Sequence, residues 1–386
     1  MKHIFIIGSK GIPCTYGGFE TFVDKLTEYH QHTSDLKYHV ACKGNTNEES
    51  EYHNAHCFQL KVPKIGATQA VYYDLAAMKY CCDYIEGHEI YDAIIYILAC
   101  RIGPFLSYFK KQLRRFRTQI FVNPDGHEWL RAKWPWIIKK YWKLSEGFMV
   151  KHADYMICDS QAIERYICKE YAKYAPRTTF IAYGAEMRRS KLSDTDALLR
   201  QWYQRFGLEE KEYYLIVGRF VPENNYETML REYQKCHSKK KLVIITQKDE
   251  KMLLDMQKKT KFESDDRIIF AGTVYNKELL MKIREKAFGY FHGHEVGGTN
   301  PSLLEALGST DLNYILDVEF NREVAEDGGI FWTKENGSLS NLIDQIECLP
   351  EEMMQRYSQK AKKRISVYYN WQRIADQYHK VFTDGI

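Results

Sequence analysis

The chain has 386 residues, 45% of them hydrophobic, enough for one large or two medium domains with cores of their own. Its 55 basic residues stand against 51 acidic ones, a net charge of +4 that does not mark a nucleic-acid binder. Ten cysteines are scattered without a C-x-x-C pair, which excludes a cysteine-based zinc site and implies a reducing cytoplasm; no run of about 18 apolar residues offers a membrane span.

The first segment, "MKHIFIIG", carries one lysine and reads as a buried first strand, not a signal peptide. Short apolar runs then recur, each followed by a polar loop and a helical pattern. They are "YHVACKG" (38–44), "YDAIIYILAC" (91–100), "TQIFVNPDG" (118–126), "ADYMICDS" (153–160) and "TTFIAYGAE" (178–186). A charged, strand-free stretch covers 186–211. A second series follows: "YYLIVGRF" (213–220), "KLVIITQ" (241–247), "RIIFAGTV" (267–274), "GYFHGH" (289–294) and "LNYILDV" (312–318). Continuous apolar strands alternating with helices imply parallel sheets covered on both faces. The fold class is therefore α/β, with two doubly wound Rossmann-like domains. The expected division is 1–185, a linker over 186–211, a second domain over 212–365, and a C-terminal helix over 366–386 crossing back to the first.

Ligands of open parallel sheets sit beyond the carboxyl ends of the strands, so each loop there is a candidate. The loop "GSKGIPCTYGGFET" (8–21) holds Gly8, Gly11, Gly17 and Gly18, which let backbone N–H groups approach a phosphate at a helix start. Its spacing is neither G-x-G-x-x-G nor a P-loop, and the same glycines suit a wide turn. "NPDGHEW" (123–129) sets Asp125, His127 and Glu128 after a buried strand, placed for hydrogen bonds to hydroxyls or for proton transfer. The same letters also write an ordinary P-D-G turn.

"GRFVPENNYET" (218–228) opens the second domain. Arg219 can neutralise a diphosphate bidentately and Glu223 can accept from sugar hydroxyls, or the two form a surface pair beside a helix cap. In "HGHEVGGTNPSLLEA" (292–306), Gly297 and Gly298 permit close backbone approach and Pro301 suits a first helical position. Glu305, one turn in, points back toward the helix start and a ribose hydroxyl, or is a plain exposed helical glutamate. Neither the D-T-D at 194–196 nor His292 and His294 has the setting of a metal site, so no metal and no cofactor are expected.

"FKKQLRRFR" (109–117) and "RAKWPWIIKKYWK" (131–143) each carry five basic residues and no acid, and four of the seven tryptophans lie at Trp129, Trp134, Trp136 and Trp142. That pattern suits a helix on an anionic membrane surface, or a basic face around a tryptophan core. No nucleic-acid motif accompanies it, so nucleic acid is not an expected partner.

Together, "IIGSKGIPCTYGGFETFV", "NPDGHEW", "EYYLIVGRFVPENNYET" and "HGHEVGGTNPSLLEAL" resemble retaining nucleotide-sugar glycosyltransferases of the GT-B fold. More narrowly they resemble bacterial rhamnosyltransferases of cell-wall and capsular polysaccharide synthesis, of the type that begins the group A streptococcal carbohydrate with a β-1,4-rhamnose. The resemblance spans nearly the whole chain. It implies two domains facing across a cleft and a retaining, metal-independent transfer of L-rhamnose from dTDP-β-L-rhamnose. The implied acceptor is N-acetylglucosamine or glucose on undecaprenyl diphosphate, and the implied place is the inner face of the plasma membrane, peripherally attached on the cytoplasmic side.

The resemblance also implies roles. Gly17 and Gly18 border the diphosphate, Asp125 contacts the reacting sugar or the acceptor hydroxyl, and Arg219 neutralises the leaving diphosphate. Glu223 sits by the sugar and Glu305 holds the nucleotide's sugar ring. Asn224, Gly297, Gly298, Thr299 and Asn300 complete the donor side; His127, Lys133, Trp134, Trp136, Lys139 and Lys140 form the acceptor and membrane side. The chain departs from the wider family twice: Gly297 stands where a glutamate pairs with Glu305, and Glu223-Asn224-Asn225 stands where a lysine is usual. A same-fold enzyme using another nucleotide sugar is the main alternative. An NAD-dependent oxidoreductase lacks its glycine fingerprint here, and a non-catalytic glycan- or lipid-binding protein would not need Arg219 or Glu305.

Overall fold

The computed structural model describes residues 1–14, 17–131, 134–247 and 249–384, and the chain falls into two compact units. The first joins Met1–Gly184 to the chain from Trp371 onward; the second is Ala185–Asn370.

Among the described residues, the first unit carries an eight-stranded sheet: β1 (Lys2–Ile7), β2 (Leu36–Gly44), β3 (Glu49–Tyr52), β4 (Ala55–Lys61), β5 (Ile94–Leu98), β6 (Gln119–Asn123), β7 (Tyr155–Cys158) and β8 (Thr178–Phe180). The order is β3-β4-β2-β1-β5-β6-β7-β8, parallel except for the β3–β4 pairing. Ile4–Ile7 and Ile94–Leu98 are wholly buried, as strands covered on both faces must be. β3 has no apolar run: its residues lie at the sheet edge, mostly exposed, so hydropathy leaves it unmarked.

The last helix, Trp371–Thr383, packs in this first unit. Its buried Trp371, Ile374, Ala375, Tyr378 and Phe382 recur at helical spacing. Tyr378 meets the Tyr96 hydroxyl at 3.0 Å, and the Ala375 carbonyl lies 3.0 Å from His30 Nε2. The expected single segment over 366–386 is corrected: a helix of the second unit runs Glu351–Tyr368, and the final helix begins afresh at Trp371.

The second unit's sheet is β9 (Tyr213–Val217), β10 (Lys241–Ile245), β11 (Ile268–Phe270), β12 (Gly289–His292), β13 (Leu312–Leu316) and β14 (Ile330–Trp332), in the order β11-β10-β9-β12-β13-β14 and parallel throughout. This is the dinucleotide-fold order 3-2-1-4-5-6.

Residues 186–211 are part of this unit, not a linker. Asp196 caps the helix Ala197–Phe206, Gly207 ends it at φ 59, and Leu199 and Trp202 enter the core beside Tyr213. The charges that suggested a solvated linker are ion pairs to the Lys277–Lys286 helix: Arg188 with Glu278 at 2.5 Å, and Asp194 with Lys282 at 2.9 Å and Lys286 at 2.7 Å.

Candidate active site

In the second unit the strand order reverses between β9 and β12, and the loops after these strands are where such sheets take ligands. After β9, Tyr226 donates to the Gly218 carbonyl (3.1 Å) and Asn224 Nδ2 to the Arg219 carbonyl (2.7 Å), which fixes the turn. The Arg219 side chain is exposed and makes no ion pair among the described residues. Glu223 is 7% exposed, and its Oε2 is buried with no hydrogen-bond partner. The surface Arg–Glu pair is therefore not formed. A buried polar oxygen left without a partner costs about 1–3 kcal/mol, which a bound hydroxyl would recover.

The loop after β12 meets the loop after β9. Because Asn224 Nδ2 donates, its Oδ1 accepts, here from His294 Nδ1 at 2.7 Å. Asn225 Nδ2 donates to the Gly293 carbonyl (2.8 Å), and the Glu295 N–H to the Glu223 carbonyl (3.1 Å). Glu295 is ion-paired with Lys334. Gly297 has φ 124, a conformation that side-chain-bearing residues rarely adopt, and the nearest atom to a Cβ built there is His294 Nε2 at 3.6 Å. His292 is 4% exposed; burial holds its imidazole well below the ordinary value, so it is neutral, and its Nε2 has no partner.

The helix Pro301–Ser309 follows. Asn300 is its cap, accepting the Ser302 N–H at 2.9 Å, so that first-turn amide, expected to be open to an anion, is occupied. Ser302 Oγ donates to the Val217 carbonyl at 2.9 Å, fastening the helix start to the end of β9. Thr299 is buried and Gly298 partly exposed. Glu305 is half-exposed and ion-paired at 2.5 Å with Arg284, a buried arginine on the Lys277–Lys286 helix. Arg284 was not anticipated. Its signal is its place on that helix's apolar face, with Leu280, Ile283 and Ala287.

In the first unit the order reverses between β1 and β5. Gly8 (φ 96) leaves no room for a side chain against the Leu98 carbonyl, nor Gly11 (φ 102) against Cys42. Gly17 (φ 131) precedes the helix Gly18–His30. Two of the loop's amides are taken by carboxylates of the helix that follows. Lys10 N–H donates to Glu20 Oε1 (2.8 Å) and Cys14 N–H to Asp24 Oδ2 (2.9 Å); neither is an amide of Gly17 or Gly18, the pair expected to border a diphosphate. Arg101, also unanticipated, reaches back from the end of β5 to the Gly8 carbonyl (2.9 Å) and the buried Asp74 (3.0 Å).

Two non-glycine residues with left-handed backbone, Ala99 (φ 78) and Asp125 (φ 60), follow the paired strands β5 and β6. Such strain gathers at functional sites. Burial raises the Asp125 carboxyl above the ordinary aspartate value, against the pull of Arg131, whose Nη2 is 3.8 Å away. His127, half-buried on the same loop, is lowered by burial and packs edge-on against Tyr166, centroids 4.3 Å apart. Glu128 accepts from Trp134 Nε1 at 2.8 Å and pairs with Arg131 at 2.6 Å.

Lys133 lies outside the described residues. Of the four tryptophans only Trp136 is open to solvent, at 64%, with Lys140 4.6 Å above its ring; Trp142 is buried. Ile137 is 62% exposed beside it, and Lys139 turns back to the Leu130 carbonyl. Among the described residues no group of three or more side chains is set to hold a metal, and no helix is long and apolar enough to cross a membrane.

Residues 1–186 match the family model described as a domain of unknown function, DUF1972. No curated protein matches the chain. Among solved structures, the chain is similar to sucrose-phosphate synthase from Thermosynechococcus elongatus, at TM-score 0.77 and 16% identity over 100% of this chain and 99% of that one. Anabaena HepE in complex with UDP-glucose aligns at TM-score 0.70 and 14% identity, over 100% of both chains. An E. coli trehalose-6-phosphate structure bound with UDP-2-fluoro glucose aligns at TM-score 0.73 and 10% identity, again over 100% of both. The fold is GT-B. In a GT-B chain the first unit is the N-terminal Rossmann-like domain and the second the C-terminal one, and the Glu223–Gly297 cluster lies at the C-terminal domain's switch point.

Proposed function

We propose that the protein is a glycosyltransferase that moves a sugar from a nucleoside diphosphate, with retention and without a metal ion. The observation that carries this is Glu223: a buried carboxyl oxygen without a partner, at the switch point, on the same short turn as the unpaired guanidinium of Arg219. Arg219 neutralises the departing diphosphate bidentately. Glu223 accepts from donor-sugar hydroxyls. Glu305, oriented by Arg284, binds the nucleotide's sugar ring. The solved GT-B structures bound to UDP or UDP-glucose support a nucleotide-sugar donor.

The donor in this reading is dTDP-β-L-rhamnose and the acceptor a lipid-diphosphate-linked N-acetylglucosamine or glucose. A thymidine donor has no 2′-hydroxyl, so Glu305 takes the 3′-hydroxyl. The first unit's Asp125 and His127 address the acceptor, and the Trp136–Lys140 face rests on anionic lipid at the inner surface of the plasma membrane. Same-face attack requires no enzyme nucleophile, because the leaving phosphate oxygen takes the acceptor's proton.

The test is incubation with a panel of nucleotide sugars and synthetic lipid-diphosphate sugars, read by mass spectrometry, with the anomeric linkage read by NMR. A β-rhamnosyl product is expected. An α-linked product refutes retention, and turnover of UDP-glucose in preference to dTDP-rhamnose refutes the donor.

A further inference from the structure

The loop bearing Asp125 and His127 rests on a polar cluster that the assignment above leaves unused. Glu146, on the helix Trp136–His152, is 4% exposed. Its Oε1 accepts the hydroxyls of Tyr166 at 2.6 Å and Tyr171 at 2.5 Å. Lys143, one turn earlier, reaches the same oxygen at 3.5 Å, pairs with Glu170 at 2.9 Å and donates to Tyr166. The rings of Trp129, Tyr166 and Tyr171 stand 4.8, 4.9 and 5.0 Å from the lysine nitrogen.

Burying a carboxylate is costly, and an apolar side chain of similar volume is often as stable. A buried acid held by two tyrosines and a lysine therefore asks for a purpose besides stability. The cluster meets the loop at two points: Tyr166 against the His127 imidazole, and Lys143 over Trp129.

We propose that Glu146 and Lys143 are positioning residues for His127: through the Tyr166 ring they fix the imidazole's orientation, and by their opposite charges they set its protonation. The part this plays in turnover rests on the acceptor role given to the loop above. The charged and titratable groups facing His127 are Glu146 and Lys143 from the Trp136–His152 helix and Tyr166 from the Gln161–Glu170 helix, with Glu170 and Tyr171 behind them. Asp125, Glu128 and Arg131 lie on its own loop. Burial lowers the imidazole's affinity for protons, Glu146 raises it and Lys143 lowers it.

The experiment uses the full chain and two readouts. The first is an NMR titration of His127 without substrate. Glu146→Gln is expected to move its midpoint down and Lys143→Met to move it up; Tyr166→Ala, which opens the ring's packing, is expected to move it up toward the ordinary histidine value. Midpoints that stay in place, or that move in the same direction for Glu146→Gln and Lys143→Met, overturn the proposal. Should Glu146→Gln fold poorly, the half-exposed Lys143→Met and Tyr166→Ala still decide it. The second readout is kcat/KM against pH with dTDP-rhamnose and a synthetic lipid-diphosphate N-acetylglucosamine. The acid limb is expected to follow the NMR midpoint, and Tyr166→Ala to lower kcat about tenfold with the donor KM unchanged. Opposite midpoint shifts with an unmoved limb support the cluster's hold on His127 and refute instead the acceptor role of the loop.

Discussion

Glu223→Met separates a carboxyl kept for a ligand from one kept for the fold. The Oε2 of Glu223 is buried and unpartnered, on a residue 7% exposed. Methionine is of similar length and removes the unsatisfied atom. Folding stability should rise by about 1–3 kcal/mol, the cost of an unpaired buried polar group. In a domain of about 150–250 residues each such kilocalorie is about 2–4 °C in Tm. A hydrogen bond from a sugar hydroxyl to a charged acceptor contributes about 1.5–3 kcal/mol, so kcat/KM should fall about 10- to 150-fold. Native-state hydrogen exchange at β9 and β12 amides reads the first effect, and initial rates by mass spectrometry read the second. The two must move in opposite directions. A Glu223→Met protein that is less stable, or that turns over like its parent, refutes the reasoning.

Gly297→Glu places a side chain at φ 124; it should cost about 1–3 kcal/mol of stability and bring no gain in donor affinity by calorimetry. Arg219→Ala removes an exposed, unpaired guanidinium; stability should stay within about 0.5 kcal/mol while kcat/KM for the donor falls about 100-fold. Burial lowers His30 to about 4 from 6.5, so the stability it contributes is present above pH 6.5 and lost as pH falls toward 4, at up to about 1.4 kcal/mol per unit. Hydrogen exchange should show the Trp371–Thr383 helix loosening in that window, and His30→Gln should flatten the dependence. Trp136→Ala with Lys140→Glu should abolish sedimentation with anionic vesicles, an interaction that salt should also weaken in the parent.

Most of the parallel strands were legible because burial on both faces leaves unbroken apolar runs; the parallel β4 and the three-residue β14 were not among those runs. β3 was not: an edge strand with exposed Glu49, Ser50 and Glu51 has no hydropathy to show. Residues 186–211 misled for a related reason. Charge in a sequence reads as solvent, yet Arg188 and Asp194 find partners on a helix some ninety residues away, a pairing that no local pattern encodes. The site was legible as positions more than as states. Arg219 and Glu223 follow an apolar strand, and that alone marks them. Whether an amide is open or taken depends on how the side chains fold back: Glu20, Asp24 and Asn300 fill the N–H groups of Lys10, Cys14 and Ser302. Arg101 and Arg284 were passed over because each is a single arginine whose meaning lies in Asp74 and Glu305, distant in sequence.

The two positions at which the sequence departs from the family it resembles are linked in the structure. The family that the sequence resembles is expected to carry a lysine where this chain has Glu223-Asn224-Asn225, and a glutamate where it has Gly297. Asn224 hydrogen-bonds His294 at 2.7 Å, and His294 Nε2 is the nearest neighbour of a Cβ built on Gly297. A hydrogen-bonded asparagine–histidine pair thus links the two positions at which the sequence departs from the family it resembles. A glutamate at 297 would bring a second carboxyl toward the corner of buried Glu223, which like-charge repulsion penalises. Glycine at 297 also allows the backbone its φ of 124. A sugar with fewer hydroxyls needs fewer acceptors, so under the proposed function the asparagine–histidine pair beside Glu223 is expected to favour a 6-deoxy donor, and a donor panel in which a fully hydroxylated hexose is turned over faster refutes that expectation.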